Sequence, residues 1–228
     1  MHSFSLETLI KYILDWSEVW ALFIPLYIVL VVSKRQPALI KPVIIYLWLA
    51  LVINLLADII ADFKTHLPTW AFSNNPLYNI HSLVRFACFS YFFITIEQQK
   101  ITYILKLLPA VLLLFVIINF AFFEDFFDRT SLSGNLLTVE SYLLLIYCML
   151  YYLARLRDED ERIADRKDFW IVTGLSLYVV FNFFLFLFYK PLVDENPMLA
   201  VRMWNVHNIA YIIFCVLIAK AFYVPDSN

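Results

Sequence analysis

Glycine is the scarcest structural residue in this chain, with Gly134 and Gly174 the two occurrences in 228 residues. Membrane helices that approach closely use small residues, and transporters break their helices with Gly or Pro at binding sites. A chain this poor in glycine is expected to form straight helices packed through bulky side chains, which argues against a transporter. Charge is also sparse. Charged residues make up 16% of the chain and the net charge is −2, so nothing invites a nucleic-acid partner and no basic tail is available for anionic lipid. The three cysteines, Cys88, Cys148 and Cys215, lie inside apolar runs. They read as small buried hydrophobes, not as a disulfide framework or a metal cluster. The opening MHSFSLETLIKYILDW lacks the basic n-region and small-residue cleavage site of a secretory signal, so the first apolar run is expected to stay as an anchor.

What the chain has in excess is apolar surface. It is 63% hydrophobic and 18% aromatic, with a mean hydropathy of +0.77, more than a soluble domain of this length needs. Runs able to supply the roughly 20 residues of a bilayer span occur at 16–33, 41–62, 76–97, 103–123, 135–156, 168–189 and 199–222. The connections are short, leaving no room for a second globular domain. The expected fold is therefore an all-α, polytopic membrane protein, one heptahelical domain over 1–228, in a plasma or bacterial inner membrane. Before the first span, Leu6, Leu9, Ile10, Ile13 and Leu14 recur at helical spacing. That pattern predicts a short interfacial helix or an extension of span one.

Lysine and arginine set the orientation. With the N-terminus outside and the C-terminus cytoplasmic, eleven fall on the inner side (Lys34, Arg35, Lys41, Lys100, Lys106, Arg155, Arg157, Arg162, Arg166, Lys167, Lys220). Five fall on the outer side (Lys11, Lys64, Arg129, Lys190, Arg202), and Arg85 is left within the membrane. The positive-inside rule selects this orientation. Trp16, Trp20, Trp70 and Tyr189 then lie near the outer interface.

At about 1.5 Å of rise per residue, the embedded polar residues share one depth. Span two carries Asn54, Asp58 and Asp62 at i, i+4, i+8, one stripe on one face. Span three begins with Asn79, His81 and Arg85, span five with Glu140, and span seven with Arg202, Asn205, His207 and Asn208; Asn182, one turn from Tyr178, sits in the outer half of span six. An uncompensated charge at this depth costs about 2.5–3.5 kcal/mol on insertion scales. Arg85 is accordingly expected to be neutralised by Asp58 and Glu140, or to meet an anionic ligand group. Asn54, Asn182 and Asn205, taken singly, can equally be interhelical hydrogen-bond links. His81, with an ordinary pKa near 6.5, is expected to make the layer pH-dependent.

Three function classes follow. The first is a sensor or receptor binding a small polar or amphipathic ligand at Asp58, His81, Arg85, Glu140, Asn182, Asn205 and Asn208. Its output would be the charged connector 155–168, RLRDEDERIADRKD, facing a cytoplasmic signalling partner. Arg157 with Glu161 and Asp158 with Arg162, at i, i+4, support a helix there. The second is a membrane-embedded hydrolase, either metal-free on Asp58, His81 and Glu140 or with zinc on His66, His81, His207 and Asp62. The histidine and aspartate set resembles that of seven-helix zinc-dependent lipid hydrolases of the alkaline ceramidase type, which combine three histidines with Asp and Ser. The spacing departs from theirs. The residue four after His207 is Tyr211, not the second member of a His-x-x-x-His pair, and no Ser-x-x-x-His occurs in an earlier helix. The third is a structural subunit of a membrane complex. Retinal is rejected, because Lys220, the one lysine of span seven, lies at its inner end and span three offers Arg85 where a carboxylate is wanted. A channel is disfavoured by an inner half without a polar path. The sensor reading is preferred, and the loop 62–79, with its turn residues Pro68, Asn74, Asn75 and Pro76, is long enough to act as a lid.

Overall fold

A computed structural model describes residues 6–32, 36–68, 73–96, 102–156 and 163–225, and among these the chain is all-α. Eight helices follow in order: α1 (Leu6–Asp15), α2 (Ser17–Val31), α3 (Lys41–Phe63), α4 (Asn75–Ile96), α5 (Thr102–Phe122), α6 (Gly134–Arg155), α7 (Lys167–Glu195) and α8 (Pro197–Tyr223). The helices from α3 to α8 are long and apolar enough to cross a membrane. The count becomes seven if α1 and α2, bent by 64° at their junction, form one broken span. Six of the seven expected runs, from 41–62 to 199–222, are thus membrane-length helices, and the first run, 16–33, holds the 15-residue α2. Trp70, Lys34, Arg35, Lys100, Arg157, Arg162 and both helix-supporting pairs of the 155–168 connector lie outside the described residues, as do 69–72 of the 62–79 loop.

Helix ends carry the usual chemical signals. Pro42 and Pro197 stand at first-turn positions of α3 and α8, where the missing N–H costs nothing. Asn196 separates α7 from α8, and its side chain accepts from the Leu199 amide at 3.1 Å. The amphipathic α1 leaves Leu9, Ile10 and Ile13 exposed, which fits a helix lying in an interface.

α8 packs on α7 and α2, α6 on α7 and α4, and α3 on α2 and α4, so six helices form a ring and α5 rests outside it against α4 and α6. Gly174 corrects the expectation of packing by bulky side chains alone. A Cβ built there would stand 3.0 Å from the Leu217 Cβ and 3.2 Å from the Phe214 carbonyl oxygen, so this one glycine lets α7 and α8 approach closely.

The two ends of the ring differ. Towards the α6–α7 connection the core is aromatic, with Phe93 stacked on Tyr147 and Phe92 edge-on to both Phe89 and Phe93. At that end itself Asp168, 6% exposed, pairs with Arg166 at 3.1 Å and Arg155 at 3.5 Å. Lys220 sits 3.9 Å from the ring centre of Trp170. The 155–168 connector thus contains an ion cluster and a 3-10 turn at Ile163–Asp165, and α6 ends at Arg155. The opposite end, where α3–α4, α5–α6 and α7–α8 are joined, holds the buried polar layer.

Candidate functional site

A buried ion pair and a buried carboxyl–histidine contact organise that layer. Arg85, on α4, meets Glu140, on α6, through a fork: Nε donates to Oε1 at 2.8 Å and Nη2 to Oε2 at 2.6 Å. Nη1 donates to the Tyr178 hydroxyl of α7 at 2.8 Å. Arg85 is 3% and Glu140 0% exposed. All three guanidinium nitrogens have partners and the charge is neutralised, so Arg85 is not an open cation for an anionic ligand. The fork is the geometry in which a buried guanidinium and carboxylate best offset their desolvation.

The second pair centres on Glu18, which sequence reasoning missed. It lies in the first turn of α2, where the bend after α1 turns the helix N-terminus into the bundle and the backbone dipole favours an anion. His207 Nε2 lies 2.8 Å from Glu18 Oε1, and His207 Nδ1 lies 2.6 Å from Asn182 Oδ1. The Tyr78 hydroxyl donates to Glu18 Oε2 at 3.3 Å. Asn54 donates to the Glu18 carbonyl at 3.1 Å and to the Tyr211 hydroxyl at 3.4 Å. The Asn182 amide on one ring nitrogen and the Glu18 carboxyl on the other hold the imidazole in one orientation. The signal for Glu18 was available: it is the one charge in the apolar run 16–33, the same cue that singled out Arg85.

The remaining candidates separate. Asp58, 9% exposed, does not pair with Arg85, and its Oδ2 is buried without a hydrogen-bond partner. It sits one turn nearer the helix end than Asn54, while Arg85 points across to α6 and α7. Of the two carboxylates expected around Arg85, Glu140 alone pairs with it among the described residues. His81 stacks on Tyr46, ring centres 5.8 Å apart, with its Nε2 at 3.3 Å from the Tyr46 hydroxyl. Asn208 donates to the Leu14 carbonyl of α1 at 3.0 Å. Asn205 is half-buried and makes no side-chain hydrogen bond among the described residues. Trp204 packs against Tyr78, Tyr189 and His207, closing the layer from the α7–α8 end.

The expected catalytic and metal sets do not form. Glu140 is engaged by Arg85 and His81 by Tyr46, and neither shares a hydrogen bond with Asp58, so no acid–base pair arises from the three. His66 is exposed beside Thr65 at 3.1 Å and Asp62 is exposed, whereas His81 and His207 are buried with other partners. Among the described residues no three His, Cys, Asp or Glu side chains come together as metal ligands. The cause is depth: His66 lies beyond the end of α3, outside the layer that holds the other two histidines. The resemblance to zinc-dependent lipid hydrolases therefore stops at residue types.

Several buried polar atoms around these pairs lack a partner: Ser17 Oγ beside Glu18, Asp58 Oδ2, Asn182 Nδ2 and Asn208 Oδ1. Buried donors and acceptors are normally met by protein or by an enclosed polar molecule. Glu140 pairs with Arg85 and Glu18 meets His207, whereas Asp58 is the carboxyl of the layer without a basic partner among the described residues. No family model, curated protein or solved structure matches this chain.

Proposed function

We propose that this protein is a seven-span membrane sensor, N-terminus outside and C-terminus cytoplasmic, with α1 and α2 as a broken first span. It binds a small polar ligand at Asp58 and the Glu18–His207–Asn182 chain. The observation that carries this reading is the unpartnered, buried Oδ2 of Asp58 among three further unmet polar atoms. Such a set calls for an occupant with a hydrogen-bond donor or a positive charge. Hydrogen-bond links between helices would account for the satisfied groups, but not for these.

The route inward is supported by α7 and α8. α7 carries Tyr178 and Asn182 at the layer and Asp168 in its first turn, about 20 Å away at 1.5 Å per residue. α8 carries His207 at one end and Lys220 on Trp170 at the other. A ligand that draws Asn182 or His207 from its partner shifts both helices, and the Asp168 ion cluster receives the shift.

Native mass spectrometry of the full chain in mild detergent tests the ligand. The expected result is a retained small molecule that is lost in Asp58→Asn. In hydrogen exchange, residues 163–170 would differ between the occupied protein and the variant. A wild-type protein without bound mass, or a bound mass that survives both Asp58→Asn and Glu18→Gln, would overturn the reading.

A further inference from the structure

A second cavity, of about 560 Å³, opens between the end of α5, the start of α6 and the end of α7. It is separate from the Glu18 and Arg85 pairs, and the proposed sensing does not use it. Its size lies within the range of ligand sites. One wall is apolar and faces away from the bundle: Phe122 is 79% and Leu187 47% exposed. The other wall is the α5–α6 loop, whose shape is set by its own carboxylates. Glu124 joins α5 to α6, accepting from Asn119 Nδ2 at 2.7 Å and from the Asn135 amide at 3.0 Å. Asp125 Oδ1 accepts from the Phe127 amide at 2.9 Å. Asp128 accepts from the Thr130 amide and hydroxyl and from Ser131 Oγ, all at 2.7 Å. The Ser131 and Thr130 donors hold the Asp128 carboxyl down at a pKa of about 2, so it keeps its charge at neutral pH. Lys190, exposed on α7, lines the same cavity and pairs with no carboxylate among the described residues.

A loop rim that carries Asp125 and Asp128 together with Arg129, one lysine on α7 and an apolar wall at the end of three membrane-length helices match one chemistry. We propose that this cavity binds a zwitterionic phospholipid headgroup of the phosphoethanolamine type. Lys190 meets the phosphate, Asp125 and Asp128 meet the ammonium, and an acyl chain lies along Phe122 and Leu187. The lipid source is favoured over a soluble headgroup because the apolar wall continues onto the exposed surface of α5 and α7. Snorkelling places the Lys190 ammonium at headgroup level.

The test offers the full chain in mild detergent an equimolar mixture of palmitoyl-oleoyl phosphatidylethanolamine and phosphatidylglycerol and reads the adducts by native mass spectrometry. The ethanolamine lipid is expected to exceed the glycerol lipid by about threefold or more, since the carboxylates attract the ammonium and repel a net anion. Lys190→Gln and Asp125→Asn are each expected to lower its occupancy about two- to fivefold, the range of one exposed charge contact. The amide introduced by Asp125→Asn keeps an oxygen that accepts from the Phe127 amide, so the loop turn survives, and an unchanged melting temperature verifies this. Asp125→Asn should leave phosphatidylglycerol undiminished, which a general loss of fold would not do. Equal binding of the two lipids, or ethanolamine-lipid occupancy unmoved by both variants, would overturn the proposal. Displacement of the lipid by equimolar glycerophosphoethanolamine would overturn the lipid source and point to the free headgroup.

Discussion

Replacing Arg85 by alanine removes the one cation that pairs with Glu140 among the described residues, a carboxylate with 0% exposure held by two guanidinium bonds. Breaking a buried pair in this way costs about 3–5 kcal/mol, because the remaining charge stays desolvated. Removing both charges at similar volume, as in Arg85→Met with Glu140→Leu, should recover most of that loss, since such replacements are often neutral. The orphaned Tyr178 hydroxyl would retain a penalty of about 1 kcal/mol. Asp58 shares no hydrogen bond or ion pair with Arg85 or Glu140, so Asp58→Asn combined with Arg85→Ala should be additive within about 0.5 kcal/mol. Reversible unfolding in mixed detergent micelles gives these differences. The buried thiols Cys148 and Cys215, 1% and 0% exposed, serve as the reporter when a thiol-reactive dye gains access. A loss below about 1 kcal/mol for Arg85→Ala, or coupling to Asp58 as large as coupling to Glu140, would refute the assignment of the pair.

Gly174→Ala places a methyl group 3.0 Å from the Leu217 Cβ and should lower stability by about 1–3 kcal/mol through overpacking; an unchanged unfolding midpoint would show that α7 and α8 have room to part. Asp128 titrates below its ordinary 3.8, at about 2, so its support of the α5–α6 loop is complete above pH 4 and fades as pH falls towards 2. A carboxyl-carbon NMR titration should find that midpoint, and Thr130→Val with Ser131→Ala should return it towards 3.8. For orientation, an impermeant maleimide should label Lys64→Cys in intact cells and Ala38→Cys only after permeabilisation, with the reverse pattern contradicting the positive-inside reading.

Much of the architecture was legible because hydrophobic length is a local property. Each of α3 to α8 lies within a few residues of an apolar run, since a span requires its own unbroken stretch of backbone and side chains. The shared depth of Glu140, Arg85, Asn182 and His207 was likewise legible from residue counts along helices that start at a known end. Partner choice was not. Depth says that Asp58 and Glu140 are both near Arg85, but the rotation of each helix about its axis decides which one faces it, and tertiary packing sets that rotation. The bend at Trp16 was equally hidden. No glycine or proline marks it, yet it turns Glu18 from an interfacial carboxylate into the partner of His207, 189 residues away.

By itself the sequence determined six of the helical spans and the end at which the uncharged and charged polar groups within the spans collect, because burial in an apolar medium and helical rise act residue by residue. The tertiary structure alone decided that Arg85 belongs to Glu140 and His207 to Glu18, that Asp58 is left without a counter-charge among the described residues, and that His66 stands apart from the other histidines. Those outcomes depend on which faces of neighbouring helices meet, and a close approach such as that at Gly174 between α7 and α8 fixes that only once the bundle is assembled.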